Sequence, residues 1–208
     1  MKDAMRGFTL LEVLLAIGLL ALLLLLVASA VTATRRALSS SEALTTRLDE
    51  VRTAQLFLRR ELQQILPLPL SEQTQGTPAV FYGEAHEMRY IAALPAHWGG
   101  GLFEQRVGLG NTQAQPWLQV AFTQLNGSSA GRAWGEPQRL MRQVRQLRLA
   151  YRGLDPQGAP TPWLPRWPWP ERLPRQIEVN LESPGPVSWP PLRVALRLEP
   201  QALAVGAP

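Results

Sequence analysis

Apolar residues run almost without a break from Leu10 to Val31, and Glu12 is the only charge among them. From Val13 to Val31 is about nineteen residues, or ~28 Å of helix, close to the ~30 Å hydrocarbon core of a bilayer. A helix in a soluble core keeps a polar strip for solvent, and this stretch has none. It belongs in a bilayer or inside a fibre of like helices. Gly18 is the only glycine between Phe8 and Leu66, and no proline precedes Pro67, so the helix is predicted to continue. Leu44, Leu48, Val51, Leu58, Leu62 and Ile65 then recur at four- and three-residue spacing, with Gln55 at an intervening position. Arg47, Asp49, Arg52, Arg59, Arg60 and Glu61 fall mostly off that stripe, which makes the second half amphipathic. Pro67 and Pro69 close the segment. One helix of about 59 residues, roughly 88 Å, is predicted from Phe8 to Leu66.

Beyond the prolines the period changes from helix to strand. Val80-Phe81-Tyr82 and Met88-Arg89-Tyr90-Ile91 are two short candidate strands, and Pro95 to Gly101 is a turn-rich loop. Leu118, Val120 and Phe122 alternate with Gln119, Ala121 and Thr123 before the turn signal Asn126-Gly127. Leu147, Leu149 and Tyr151 alternate with Arg148 and Ala150. Ile177, Val179 and Leu181 alternate with Glu178 and Asn180. Leu192, Val194, Leu196 and Leu198 alternate with Arg193, Ala195 and Arg197. The last two runs flank Pro184-Gly185 and are predicted to form a hairpin. Antiparallel strands covering an amphipathic helix make an α+β fold.

Composition sharpens this picture at three points. All 19 prolines lie from Pro67 onward and all 7 tryptophans from Trp98 onward, and Asp155 to Pro174 interleaves seven prolines with Trp163, Trp167 and Trp169. Such a segment is extended or irregular. It either roofs the sheet or offers an aromatic subunit interface, since Trp and Arg are favoured anchors; base stacking beside Arg166 and Arg172 ranks below both. The net charge of +5 is carried mostly by Arg that alternates with apolar residues, which points to a solvated sheet face. Cysteine is absent, which removes disulfides, thiolate metal sites and cysteine nucleophiles.

Catalytic parts are lacking. The two histidines, His86 and His97, sit in no metal-ligand spacing, and Glu84 and Glu87 beside His86 do not converge with it on one face of a strand. Gly99-Gly100-Gly101 lacks the lysine and helix of a phosphate loop, and Asp155 alone is poor support for Ca²⁺. No catalytic residue, metal or cofactor is expected.

Glu12 demands explanation, because an acid near the bilayer interior costs about 2.5–3.5 kcal/mol on insertion scales. A secretory signal peptide cut after Ala28-Ser29-Ala30 would have a shorter apolar run and no use for the acid. The string Met1-Lys2-Asp3-Ala4-Met5-Arg6-Gly7-Phe8-Thr9-Leu10-Leu11-Glu12-Val13 resembles the type IV prepilin signature: a basic leader ending in Gly, then Phe-Thr-Leu-x-Glu entering an apolar helix. The resemblance implies cleavage between Gly7 and Phe8 by a membrane prepilin peptidase and methylation of the Phe8 amine. It also implies that Glu12 pairs with the N-terminal amine of a neighbouring subunit, and that the fold is pilin-like. Arg35, Arg36, Arg47 and Arg52 outnumber Lys2 and Arg6, so the charge count alone favours the opposite orientation; the prepilin motif, as the more specific signal, sets it here.

Further motifs resemble the J-type minor pseudopilins of type II secretion systems. These are Leu58-Arg59-Arg60-Glu61-Leu62, Leu147-Arg148-Leu149-Ala150-Tyr151, the Trp-rich loop, and Leu173-Pro174-Arg175-Gln176-Ile177-Glu178-Val179-Asn180-Leu181. The implied organisation is a leader (1–7), a transmembrane assembly half-helix (8–33) and a periplasmic pilin-like domain (34–208), held in the bacterial inner membrane by a single pass. The implied partners are I- and K-type minor pseudopilins, the major pseudopilin, prepilin peptidase and an inner-membrane assembly platform. The implied role is in a tip complex that primes the pseudopilus and supports export across the outer membrane. The alternative is a minor pilin of a type IV pilus or DNA-uptake machine; nucleic acid is otherwise not an expected partner.

Overall fold

The computed structural model describes residues 10–70, 78–94, 100–110, 115–126 and 129–197. The Gly7–Phe8 junction, His97, Gly127 and Leu198 therefore lie outside the described residues. The chain divides into two compact units, Met1–Thr46 and Arg47–Pro208. A single helix, α1 (Leu10–Gln63), starts in the first and ends in the second. In the first unit its Leu10–Thr32 stretch, 23 residues, is long and apolar enough to cross a membrane. Leucines, isoleucine and valines on every side of this stretch are exposed. Ser29 and Thr32 return their hydroxyls to the carbonyls of Leu26 and Ser29 at 2.7 and 2.8 Å, so the polar side chains at its end bond within the helix.

The second unit places the end of α1 against two antiparallel sheets. The larger contains β1 (Ile65–Leu66), β2 (Phe81–Gly83), β3 (Glu87–Ala93), β4 (Leu102–Gly110), β5 (Trp117–Asn126), β6 (Ser129–Ala133) and β7 (Gln138–Met141). β1 and β2 share one edge of β3 end to end, and β6 and β7 share the far edge of β5, so this sheet is five strands wide. The smaller is ordered β10 (Leu192–Ala195), β9 (Gln176–Glu182), β8 (Gln146–Arg152). Its register puts Leu147 opposite Leu181, Leu149 opposite Val179 and Tyr151 opposite Ile177, while Val194 faces Ile177 from the other side. Every one of these points into the core, as the alternation predicts.

The α+β reading thus holds, and the departures from it have physical causes. The helix stops at Gln63, short of Leu66. Leu66 precedes Pro67, which disfavours helical backbone there, and Ile65 and Leu66 instead pair with Ala92 and Ile91. Of the predicted stripe, Val51, Leu58 and Leu62 are buried, joined by Ala54; Leu44 and Leu48 are exposed. Cover from the sheets ends near Glu50, whose carboxylate accepts from the Arg142 amide at 2.7 Å and from Arg47 at 2.7 Å. β4, β6 and β7 are not apparent from the sequence. β4 is hidden because Glu104 and Gln105 are polar yet buried, which breaks the alternation. The β9–β10 pair forms as expected, with Gly185 at φ 107°. Its connection also dips inward, burying Val187 and Trp189; the Trp189 indole donates to Val179 O at 3.0 Å.

Glu61, expected off the stripe, is buried between helix and sheet. Gln105 Nε2 donates to it at 2.6 Å, and the Tyr90 hydroxyl donates to Gln105 Oε1 at 3.1 Å. Tyr90 and Gln105 lie in one cross-strand row with Phe81 and Phe122. Burial, and then the Glu61 charge, push the Tyr90 hydroxyl well above its ordinary pKa, so it stays a donor.

Two outcomes follow for stability. Glu61→Leu and Gln105→Leu should each cost about 1–3 kcal/mol, since each strands a buried polar partner. The double variant should recover part of that loss, and additive losses in urea unfolding would count against the network. Burial alone would raise the Glu50 carboxyl, but the Arg142 amide and then Arg47 outweigh it and hold it below its ordinary 4.5. A depressed folded value stabilises above 4.5 and the benefit fades as pH falls through it. The deficit of Glu50→Gln relative to wild type should therefore be full at pH 7 and shrink on acidification below 4.5; a pH-independent deficit in thermal unfolding contradicts this.

Candidate assembly and interface sites

Glu12 lies in the first turn of α1, exposed, with Leu10, Leu11, Val13, Leu14 and Leu15 exposed around it. Among the described residues of their own unit these side chains have no cover. A bilayer or other helices must supply it, and within such a setting a lone carboxylate requires a cation. Gly7 and Phe8, the predicted cleavage and methylation positions, lie outside the described residues.

The three tryptophans of the Pro-rich segment have different fates. Trp167 is 4% exposed and belongs to the core. Its indole donates to Arg172 O at 2.8 Å, its amide donates to Gly83 O at 2.9 Å, and Trp169 packs edge-on with ring centroids 5.0 Å apart. Gly153 makes the room: a Cβ there would stand 2.6 Å from the Trp167 ring. Trp167 thus does what the sheet-roofing alternative expects. Trp163 and Trp169 are half-buried. The segment is tied to the sheets by reciprocal Tyr151–Leu164 backbone bonds of 2.8 Å, and the Val80 amide donates to Pro170 O at 2.7 Å.

Other singled-out residues serve the fold. His86 Nδ1 lies 2.7 Å from Leu147 O, so that nitrogen carries the proton. Glu84 pairs with Arg166 at 2.9 Å and Glu87 with Arg106 at 2.5 Å. The Asp155 carboxylate accepts from the Gln157 and Ala159 amides at 3.0 and 2.8 Å, closing its loop. The Tyr151 hydroxyl donates to Glu84 O at 2.8 Å; burial, with the Glu84 charge next, raises its pKa far above the ordinary value. Sequence reasoning missed Trp189 and the buried Glu61–Gln105 pair, although Glu61 stands in the motif Leu58-Arg59-Arg60-Glu61-Leu62.

Comparison with known proteins agrees with this arrangement. Residues 3–28 match the prokaryotic N-terminal methylation motif, and residues 29–189 match the family described as type II secretion system (T2SS), protein J. A protein of Xanthomonas campestris pv. campestris named type II secretion system protein J is 38% identical over 216 aligned residues, covering 100% of this chain and 99% of the relative. With an anchor-like apolar helix, a methylation motif and a full-length match together, the chain belongs to the type II secretion system protein J family of minor pseudopilins.

Proposed function

We propose that the chain is a non-catalytic subunit at the tip of the secretion pseudopilus, where it helps prime fibre assembly and supports export across the outer membrane. Prepilin peptidase cuts between Gly7 and Phe8, where a missing side chain lets a protease approach the backbone, and methylates the Phe8 amine. The apolar half of α1 crosses the inner membrane once and the second unit stands in the periplasm. I- and K-type minor pseudopilins, the major pseudopilin and the assembly platform are the partners; no cofactor or nucleic acid enters this reading.

The observation that carries it is Glu12, a carboxylate in the first turn of a helix whose apolar side chains are exposed. A neighbouring subunit's Phe8 amine answers that charge in a low-dielectric setting. Trp163 and Trp169 are the indoles assigned to subunit contact, with Trp167 supporting them from inside. Co-purification of the full chain with the other minor pseudopilins of the same system tests the tip assignment, and failure to recover any of them in detergent argues against it.

Two substitutions test the anchor chemistry. Gly7→Arg should leave the leader attached, so that the mature mass exceeds wild type by the first seven residues; an unchanged mass removes the cleavage site. Glu12→Ala should insert normally but enter sheared fibres about tenfold less, the scale expected when one partner of a desolvated charge pair is lost. Wild-type recruitment and secretion in that variant would falsify the pairing role.

A further inference from the structure

The outer face of the three-stranded sheet carries charge that the fold leaves unused. On β8, Arg148, Ala150 and Arg152 alternate with the buried Leu147, Leu149 and Tyr151 and so face away from the core. Ala150 leaves a hollow of about 360 Å³, walled by Trp163 and Pro165 and by His86 and Arg148. Along this floor β9 supplies acids, and both are taken: Glu178 pairs with Arg193, and Glu182 with Arg148 at 2.6 Å. The Arg193 guanidinium also lies 5.8 Å from the Trp163 ring centroid.

At the end of the sheet the pairing stops. Arg152 is the next outward residue after Ala150, and Arg197 continues the outward alternation of β10 past Arg193. Arg175 sits between them: its amide donates to Arg152 O at 2.8 Å, and its carbonyl accepts from Leu196 at 2.9 Å. All three arginines are exposed, and among the described residues none has a side-chain partner. Like charges held together on a rigid backbone repel, so an anionic occupant gains more here than at scattered arginines.

We propose that this end of the sheet docks a short acidic segment of a partner protein, with the three arginines taking its carboxylates and the Trp163 hollow taking an adjacent apolar side chain. Arginine's planar fork matches carboxylates bidentately, and an aromatic wall beside arginines is the usual composition of an interface anchor. A long polyanion fits poorly, because its charge would continue over Glu178 and Glu182. A cluster of a few acids followed by leucine fits both halves of the surface. The inference goes beyond the fibre reading and does not require it.

Fluorescence anisotropy on the full chain in neutral detergent tests it. The probe is a labelled peptide with three consecutive glutamates followed by two leucines in a Gly-Ser frame. It should bind, weaken with added salt, and outcompete the same peptide carrying glutamine in place of glutamate. Arg152→Gln/Arg175→Gln/Arg197→Gln should weaken binding about tenfold or more, and Trp163→Ala should weaken it severalfold. If the triple variant melts differently from wild type, Arg197→Gln alone, past the last strand, gives the same readout at smaller size. Equal affinity in the triple variant overturns the proposal. So does tighter arginine-dependent binding of oligothymidine or of phosphatidylglycerol vesicles than of the peptide. Binding that appears only after residues 198–208 are removed also overturns it, since the chain's own tail would then be the occupant.

Discussion

The stripe Val51, Ala54, Leu58, Leu62 must be removed from water, and the second unit is arranged around that requirement. A helix with one apolar face cannot stand alone, whereas its N-terminal half, apolar all round, asks for lipid or like helices. The two halves have different solvents and one continuous backbone. Both sheets answer the second demand. Met88, Tyr90, Val107, Val120 and Phe122 come from the larger, Leu147, Leu149, Ile177, Val179 and Val194 from the smaller, and they merge with the helix into one core. At the lower edge of that cover the Glu50 carboxylate ties α1 to the Arg142 amide, so the seam is closed by a charge-assisted bond where its apolar contacts end.

Much of this was legible because the relevant residues obey simple periods. β8, β9 and β10 alternate cleanly, since one face meets the core and the other meets water; their arginines and glutamates fall on the wet side. The apolar anchor and Glu12 were legible for another reason, being a long run and a single exception to it. The hidden elements are those whose burial is polar. Gln105 and Glu104 sit inside β4, and no alternation rule anticipates a glutamine that bridges a tyrosine to a helix glutamate. β6, Ser129–Ala133, is short in apolar side chains, and Trp134 just beyond it packs edge-on against Phe103 and Phe122. In the Trp-Pro segment composition announced irregular structure without saying which indole turns inward. Gly153 held that information, because the space it leaves is filled by the Trp167 ring, but the pairing spans residues far apart in a loop.

The surface has a chemistry of its own. Apart from His86 and His97, every basic residue after Lys2 is arginine. Guanidinium groups lie 4.5 Å from the ring centroids of Tyr82 and Trp117, from Arg89 and Arg139, and others bridge carboxylates across neighbouring strands. Planar, weakly hydrated cations can lie flat on a sheet in a way ammonium groups do not. The outer faces are therefore knit by stacked rings and cross-strand ion pairs rather than left as solvated bristles, and the places where this knitting stops become the chemically distinct ones.

The Glu61–Gln105–Tyr90 chain has a mechanical meaning. Apolar ridges let a helix creep by a fraction of a turn at modest cost, because one leucine replaces another. A buried carboxylate does not, since any slip parts it from its amide donor in a medium that offers no substitute. Within the second unit the end of α1 is thereby held in one register against the larger sheet, fixed along its axis as well as pressed onto the core.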